Sequence, residues 1–193
     1  MKTNKSKINS GRFKGKTILL PDVDGTRPTK SIVKESAINT LRPEIPFSYF
    51  VEVFAGSGSV GIEALSNGSK KAYFLELASG PAKILRANLD SLEIDQYEII
   101  MGDSFESIKS LAQRLAKDGE PTIFYVDPPF NIRENQEAIY DKTTELIASL
   151  PPSITTQVVI EHLSSFAFDD TIGPFTLEKK RKFGNTTLSY YAK

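Results

Sequence analysis

Residues 51–65 have the sequence Val-Glu-Val-Phe-Ala-Gly-Ser-Gly-Ser-Val-Gly-Ile-Glu-Ala-Leu. It has the pattern of an apolar strand, a tight glycine turn and the start of a helix. Gly56 and Gly58 allow the backbone to approach a ligand closely. The N-terminus of the following helix offers unpaired N–H groups and a positive dipole. The stretch therefore predicts a strand–turn–helix unit that binds an anionic ligand group.

An alternation of apolar strands and amphipathic helices extends from this unit in both directions. The pattern predicts strands at 49–54, 71–77, 97–102, 122–127 and 157–162, and helices at 58–67, 80–92, 104–117 and about 134–149. Strands separated by helices of this length pair in parallel through right-handed crossovers, so we expect an α/β, Rossmann-like sheet covered on both faces. Residues 175–183 and 186–191 flank Gly184-Asn185 and predict a C-terminal antiparallel hairpin at the sheet edge.

The N-terminal part has a different pattern. Residues 11–20 predict a short strand pair or an extended basic arm that ends at the turn signal of residues 21–25. Thr29 is placed to cap a helix from Lys30 to about Leu41. With 193 residues, 39% of them hydrophobic, the chain supports one substantial core. We expect a basic arm and helix over 1–43 and the main domain over 44–193.

The composition narrows the classes of function. The chain has no cysteine and one histidine, His162, which makes a metal centre improbable. Its apolar runs are strand-sized and it shows no signal-peptide core, so we expect a cytoplasmic protein without a membrane segment. The 24 basic and 24 acidic residues cancel, yet residues 1–43 hold ten basic residues against three acids and residues 178–193 hold five against one. Two basic ends beside an acidic body indicate a polyanionic partner, with nucleic acid as the natural candidate. For the first ten residues a solvated lysine-rich tail is an equal alternative.

Acids follow three of the predicted strands. Glu76, Asp103 and Asp127 should converge at the carboxyl edge of a parallel sheet, where open α/β folds bind ligands. Glu76, twenty residues after Gly56, is placed to accept hydrogens from ribose hydroxyls, and Asp103 to accept from an adenine amino group. The alternative for Asp103 is a helix N-cap. Because Gly56, Gly58 and Gly61 also satisfy the dinucleotide fingerprint, these features leave nicotinamide and S-adenosylmethionine both open.

The box Asp127-Pro128-Pro129-Phe130 indicates methyl transfer to an amino group on a base. The lone pair of an exocyclic amino nitrogen is delocalised into the ring, so it must be held in an attacking geometry. The Asp127 carboxylate and the Pro128 carbonyl can accept its two hydrogens, the prolines stiffen the turn, and the Phe130 ring can stack on the base. The alternative is a proline-terminated strand with a buried Phe.

With these motifs the chain resembles the bacterial 16S ribosomal RNA guanine-N2 methyltransferases, which are class I S-adenosylmethionine enzymes. The resemblance extends nearly end to end, through Arg27-Pro28-Thr29, Phe54-Ala55-Gly56-Ser57-Gly58, Asn88-Leu89, Asp127-Pro128-Pro129-Phe130, Glu161 and Lys180-Arg181-Lys182-Phe183-Gly184. It implies a target guanine in the head of the small subunit, methylated in an RNA–protein assembly intermediate.

The resemblance also implies residue roles. The cofactor residues would be Phe54, Ala55, Gly56, Ser57, Gly58, Glu76, Leu77, Asp103 and Ser104. The target base would lie against Asp127, Pro128, Pro129 and Phe130. From their charge we expect RNA contacts at Arg12, Lys14, Arg27, Lys30 and Arg133.

Three other functions fit parts of the sequence. A DNA adenine-N6 methyltransferase uses the same type of box, but the chain leaves little room for a DNA-recognition domain. An RNA-binding relative without catalysis is a second alternative. A nicotinamide dehydrogenase fits least, because it leaves Asp127 to Phe130 unexplained.

Overall fold

A computed structural model describes residues 3–21, 31–129 and 136–193. Its strands are β1 (Thr3–Lys7), β2 (Thr17–Pro21), β3 (Tyr49–Val53), β4 (Lys71–Glu76), β5 (Tyr97–Met101), β6 (Thr122–Val126), β7 (Thr155–Leu163), β8 (Thr171–Ile172), β9 (Phe175–Phe183) and β10 (Thr186–Ala192). Its α-helices are α1 (Ser31–Leu41), α2 (Ser59–Ser66), α3 (Ser79–Ser91), α4 (Ser104–Asp118) and α5 (Gln136–Ala148). A short 3₁₀ helix spans Ile45–Phe47.

The main sheet has eight strands in the order β5-β4-β3-β6-β7-β10-β9-β8. The first five in that order are parallel, and β10, β9 and β8 continue the sheet in antiparallel pairs. The predicted α/β class and the C-terminal hairpin are confirmed. The short strand β8 was not predicted, and its two residues are too few to give a periodic signal.

Helices cover both faces of the sheet. One face packs against α1, α2, α3 and the N-terminal strand pair, with Phe50, Phe74 and Tyr125 pointing towards them. The other face packs against α4 and α5 through Val53, Phe124 and other buried side chains. Because successive strand residues point to opposite faces, the apolar strands fill both layers at once. None of the described helices is long and apolar enough to cross a membrane.

The N-terminal arm is an antiparallel pair of strands, but its first strand lies before the predicted residues 11–20, and only β2 overlaps them. Strand β1 pairs with β2 from Thr3 opposite Pro21 to Lys7 opposite Thr17. Ile8 and Ile18 are buried in the same cluster as the sheet residue Phe50. The alternative of a solvated tail over the first ten residues is therefore wrong from Thr3 onwards, because a partner strand satisfies that backbone. Thr29 and the turn after Pro21 lie outside the described residues.

A buried ion pair fastens the arm to the domain. The Lys34 ammonium on α1 lies 3.1 Å from the Glu63 carboxylate on α2, and both side chains are 1% exposed. Glu63 also accepts hydrogen bonds from the backbone N–H groups of Asn9 and Ser10, while Lys34 donates to the carbonyl of Lys7. Both charges are thus paired and hydrogen-bonded, as buried charges require.

We expect Lys34→Met to lower the free energy of unfolding by about 3–5 kcal/mol, because it leaves the Glu63 carboxylate buried without a cation. Urea denaturation measures this loss. Lys83→Met, on the exposed side of α3, is the matched control and should change stability by less than about 0.5 kcal/mol. Equal effects of the two substitutions would contradict a structural role for the pair.

Candidate active site

The turn after β3 has a left-handed backbone at three positions. Phe54, Gly56 and Gly58 have φ values of 65°, 55° and 73°, and Gly58 is the N-cap of α2. Phe54 is a non-glycine residue in this conformation, which costs free energy and is found mainly where a structure requires it. The turn therefore has a fixed and partly strained geometry at the end of the central strand.

The glycines of the turn meet different surroundings. A Cβ on Gly58 would lie 2.2 Å from Leu85 Cδ1, and one on Gly61 would lie 2.4 Å from Phe74 Cε1. A Cβ on Gly56 would meet no atom within 4 Å. Gly58 and Gly61 are thus required by packing within the protein, whereas Gly56 borders open space that a bound molecule can fill.

A buried acidic side chain on β3, Glu52, supports the glycine turn. The Glu52 side chain on β3 accepts hydrogen bonds from the N–H groups of Val60 (3.2 Å) and Gly61 (2.8 Å) in the first turns of α2. Burial raises its pKa from 4.5 to about 8, although these two N–H groups act in the opposite direction. Glu52 thereby joins the central strand to the helix that follows the glycine turn.

We expect the free energy of unfolding to decrease as the pH rises, because Glu52 must then carry a buried charge. The carboxyl is protonated in both states below its unfolded pKa of about 4.5, so the effect is absent there and grows as pH rises towards 8. Relative to Glu52→Gln, the wild type should lose about 1.4 kcal/mol per pH unit in this window. Urea denaturation at several pH values measures the difference, and parallel pH dependences of the two proteins would disprove the raised pKa.

Glu76, at the end of β4, binds the turn directly. Its Oε2 accepts from the Gly56 N–H at 2.7 Å and its Oε1 accepts from the Ala78 N–H at 2.7 Å. A carboxylate has about four acceptor positions, so each oxygen keeps a further one for a ligand hydroxyl. The exposed apolar side chains of Leu77 (68%) and Met101 (49%) lie beside it, since Met101 pairs with Glu76 across β4 and β5.

Asp103 is the N-cap residue of helix α4. Its Oδ1 accepts from the Phe105 N–H at 2.8 Å, so the helix-cap alternative is confirmed for this oxygen. Ser104 is buried, and the Phe105 ring contacts the Phe54 ring edge to face at a centroid distance of 5.0 Å. The two rings join the glycine turn to the start of α4.

Asp127 lies at the carboxyl ends of the parallel strands, as the glycine turn does. We call residues 127–129 the Asp127 corner. Its N–H donates to the Val53 carbonyl at 3.4 Å, which places it beside the start of the glycine turn. Pro128 is buried and Pro129 exposed. Phe130 lies outside the described residues.

A buried hydrogen bond supports the strand that carries Asp127. The Tyr125 hydroxyl donates to Glu161 Oε2 at 2.5 Å. Burial, followed by the nearby Glu161 and Asp127 charges, raises the pKa of Tyr125 well above its usual value, so the phenol keeps its proton. Strands β6 and β7 are thus joined by a side-chain bond directly below the Asp127 corner.

The predicted RNA-binding residues lie in different places. The Arg12 N–H donates to the carbonyl of Ser66, the last residue of α2, and its guanidinium reaches Gln96 just before β5. Ser66 and Gln96 both lie near the amino ends of the parallel strands, away from the glycine turn. Lys14 lies in the same tip of the arm as Arg12. Arg27, Lys30 and Arg133 lie outside the described residues. Among the residues that the structure describes, no group of three acids or histidines could hold a metal ion.

Comparison with known proteins agrees with this architecture. A family model described as "Conserved hypothetical protein 95" matches residues 6–192. The chain belongs to that family. A Haemophilus influenzae relative named ribosomal RNA small subunit methyltransferase D is 36% identical over 135 residues, which are 69% of this chain and 68% of the relative. The resemblance drawn from the sequence, to class I methyltransferases of small-subunit rRNA, is confirmed.

Solved structures support the same fold. HI0767 of Haemophilus influenzae, described provisionally as a methylase, superposes with a TM-score of 0.72 at 27% identity and covers 97% of this chain and 98% of its own. SMU.776, described provisionally as a methyltransferase and solved in complex with SAH, superposes with a TM-score of 0.68 at 13% identity over 92% of this chain and 53% of its own. The second likeness concerns the fold alone.

Two features of the site were not predicted from the sequence. Glu52 supports the turn, and an acid within an otherwise apolar strand was the signal for it. Met101 borders Glu76, which only the pairing of β4 with β5 shows. The ribose role predicted for Glu76 stays a prediction, while its bonds to Gly56 and Ala78 are additional to it.

Proposed function

We propose that this protein transfers a methyl group from S-adenosylmethionine to the exocyclic N2 of a guanine in small-subunit ribosomal RNA. The observation that carries the proposal is the proximity of the Asp127 corner to the glycine turn, through the bond between Asp127 N–H and the Val53 carbonyl. The names of the curated relatives support rRNA as the class of substrate.

The residues around the turn fit S-adenosylmethionine. The open space at Gly56 suits the methionine part of the cofactor. The expectation of unpaired N–H groups at the start of α2 is wrong for Val60 and Gly61, because both already donate to Glu52. The free acceptor positions of Glu76 suit the ribose hydroxyls, and the exposed Leu77 and Met101 offer apolar surface to the adenine. When bound, the cofactor supplies an electrophilic methyl group on a sulfonium.

The Asp127 corner would hold the amino group that attacks this methyl. The carboxylate accepts one N–H hydrogen of the guanine N2 and the Pro128 carbonyl accepts the other, so the nitrogen lone pair points towards the turn. In this position the N2 nitrogen could attack the methyl group that the cofactor would supply, and the proton that the nitrogen loses would pass to solvent water. That proton becomes acidic once the new bond forms, so a strong base is not required.

We expect Asp127→Ala to abolish methyl transfer while cofactor affinity changes little, because the residue contacts the acceptor rather than the cofactor. Transfer of labelled methyl groups to immature small subunits measures the first effect and calorimetric titration measures the second. Asp90→Ala, on the exposed side of α3, is the matched control. Full activity of Asp127→Ala would exclude the proposed role.

Two glycine substitutions separate cofactor binding from stability. Gly56→Ala puts a methyl group into the proposed cofactor space, so it should weaken S-adenosylmethionine at least tenfold and cost only about 1–2 kcal/mol of backbone strain. Gly58→Ala meets Leu85 at 2.2 Å and should mainly lower the melting temperature. Unchanged cofactor affinity in Gly56→Ala would place the cofactor elsewhere.

The target atom requires its own measurement. Mass analysis of nucleosides from treated small-subunit rRNA should show N2-methylguanosine. Parallel reactions on duplex DNA test the adenine-N6 alternative. Methyladenine in the DNA together with unmodified rRNA would contradict the present proposal and support a DNA adenine-N6 methyltransferase.

A further inference from the structure

Strand β9 ends in four consecutive exposed cations, Lys179, Lys180, Arg181 and Lys182. Of the ion pairs among the described residues, only the one between Lys180 and Asp170, at 3.6 Å, involves this run. The Arg181 guanidinium donates to the Ser36 hydroxyl at 3.3 Å and forms no ion pair with an acid among the described residues. The strand therefore presents a concentrated positive charge on a protein whose net charge is zero.

The sheet register places this charge at the edge that carries the candidate active site. Val126 pairs with Ile160 on β7, Ile160 with Ser189 on β10, and Ser189 with Lys180 on β9. Arg181 is therefore level with Asp127, one residue beyond this row, and Lys182 projects further. Three inter-strand spacings separate β6 from β9, a distance of about 14 Å.

The turn that ends β9 is held in place. Gly184 has the positive φ of 62° that a two-residue hairpin with glycine first requires. The Ser164 N–H donates to the Asn185 carbonyl at 2.9 Å and its hydroxyl donates to the Gly184 carbonyl at 3.0 Å. These bonds fix the hairpin tip against the end of β7, so the cations are presented by a rigid element.

Both faces of the strand carry the charge. Phe183 packs against the cluster on the α1 face, and alternation places Arg181 and Lys179 on that face as well. Lys180 and Lys182 point to the other face. An RNA backbone crossing this edge of the sheet would therefore meet cations from either direction.

We propose that β9 binds the phosphate backbone of the RNA substrate and positions the strand whose base enters the Asp127 corner. This proposal rests on the proposed function, because that function identifies the polyanion as RNA. Because the chain as a whole is neutral and its body acidic, attraction of RNA must come from local basic surfaces. Phosphate contacts of this kind set the position of a nucleic acid and carry no base specificity.

The test compares two triple variants with equal loss of charge. Lys179→Gln, Arg181→Gln, Lys182→Gln removes the β9 surface and leaves the paired Lys180. The control, Lys16→Gln, Arg42→Gln, Lys117→Gln, removes three exposed cations that form no ion pair among the described residues. They lie just before β2, just after α1 and at the end of α4. Filter binding with transcribed small-subunit rRNA gives the affinity across a series of salt concentrations.

We expect the β9 variant to bind rRNA at least tenfold more weakly at 0.15 M salt, with a salt dependence shallower by about 2 in log–log slope. The affinity for the cofactor should stay within about twofold of wild type, and the melting temperature within a few degrees. The double variant Arg181→Gln, Lys182→Gln makes fewer changes to the sheet edge and should lose about fivefold in affinity.

Binding within twofold of wild type, or an equal loss in the control, would overturn the proposal. Cations also keep open sheet edges from pairing with one another, so the oligomeric state of each variant is measured. Self-association of the β9 variant with unchanged RNA affinity would likewise overturn it. A wild type that binds rRNA through β9 but transfers no methyl group would refute the proposed function alone.

Discussion

The parallel register of the central sheet is the constraint on which the site depends. Val53 is level with Leu75 on one side and with Val126 on the other, so the carboxyl ends of β4, β3 and β6 lie within one residue of each other. The residues that follow are Glu76, Phe54 and Asp127, and the same level continues through Glu161 to Arg181 at the far side of the sheet. A shift of one residue in any pair would turn these side chains to the other face.

Side-chain and steric contacts hold this arrangement at its centre. The Glu76 carboxylate fixes Gly56 from one neighbouring strand, while Glu52 fixes the start of α2 from below. Leu85 and Phe74 occupy the space beside Gly58 and Gly61, so those positions admit no larger residue. The turn is thus preformed by the protein, which lowers the free-energy cost of binding a ligand there.

Several acidic side chains are buried, whereas the cations of β9 are exposed. Buried carboxylates at Glu52, Glu63 and Glu76 each accept backbone N–H groups, and Glu63 also has the Lys34 ammonium. The exposed cations of β9 have few acidic partners among the described residues. The buried carboxyl groups therefore serve the structure, whereas the exposed cations of β9 are available to a partner.

Hydrophobic periodicity and the two motifs are local signals, so the amino-acid sequence alone predicted the α/β class, the family and most α-helices and strands to within about two residues. It also placed acids at the strand ends. It did not predict β1 or β8. Which basic surfaces lie beside the candidate site, at the carboxyl ends of the parallel strands, depends on the tertiary structure. In the sequence, Arg12 and Lys14 are basic residues like Arg181. The N-terminal strand pair places Arg12 and Lys14 near the amino ends of the parallel strands, whereas the sheet register places Arg181 level with Asp127. Sequence patterns cannot settle such a point, because strand order and register depend on contacts between residues far apart in the chain.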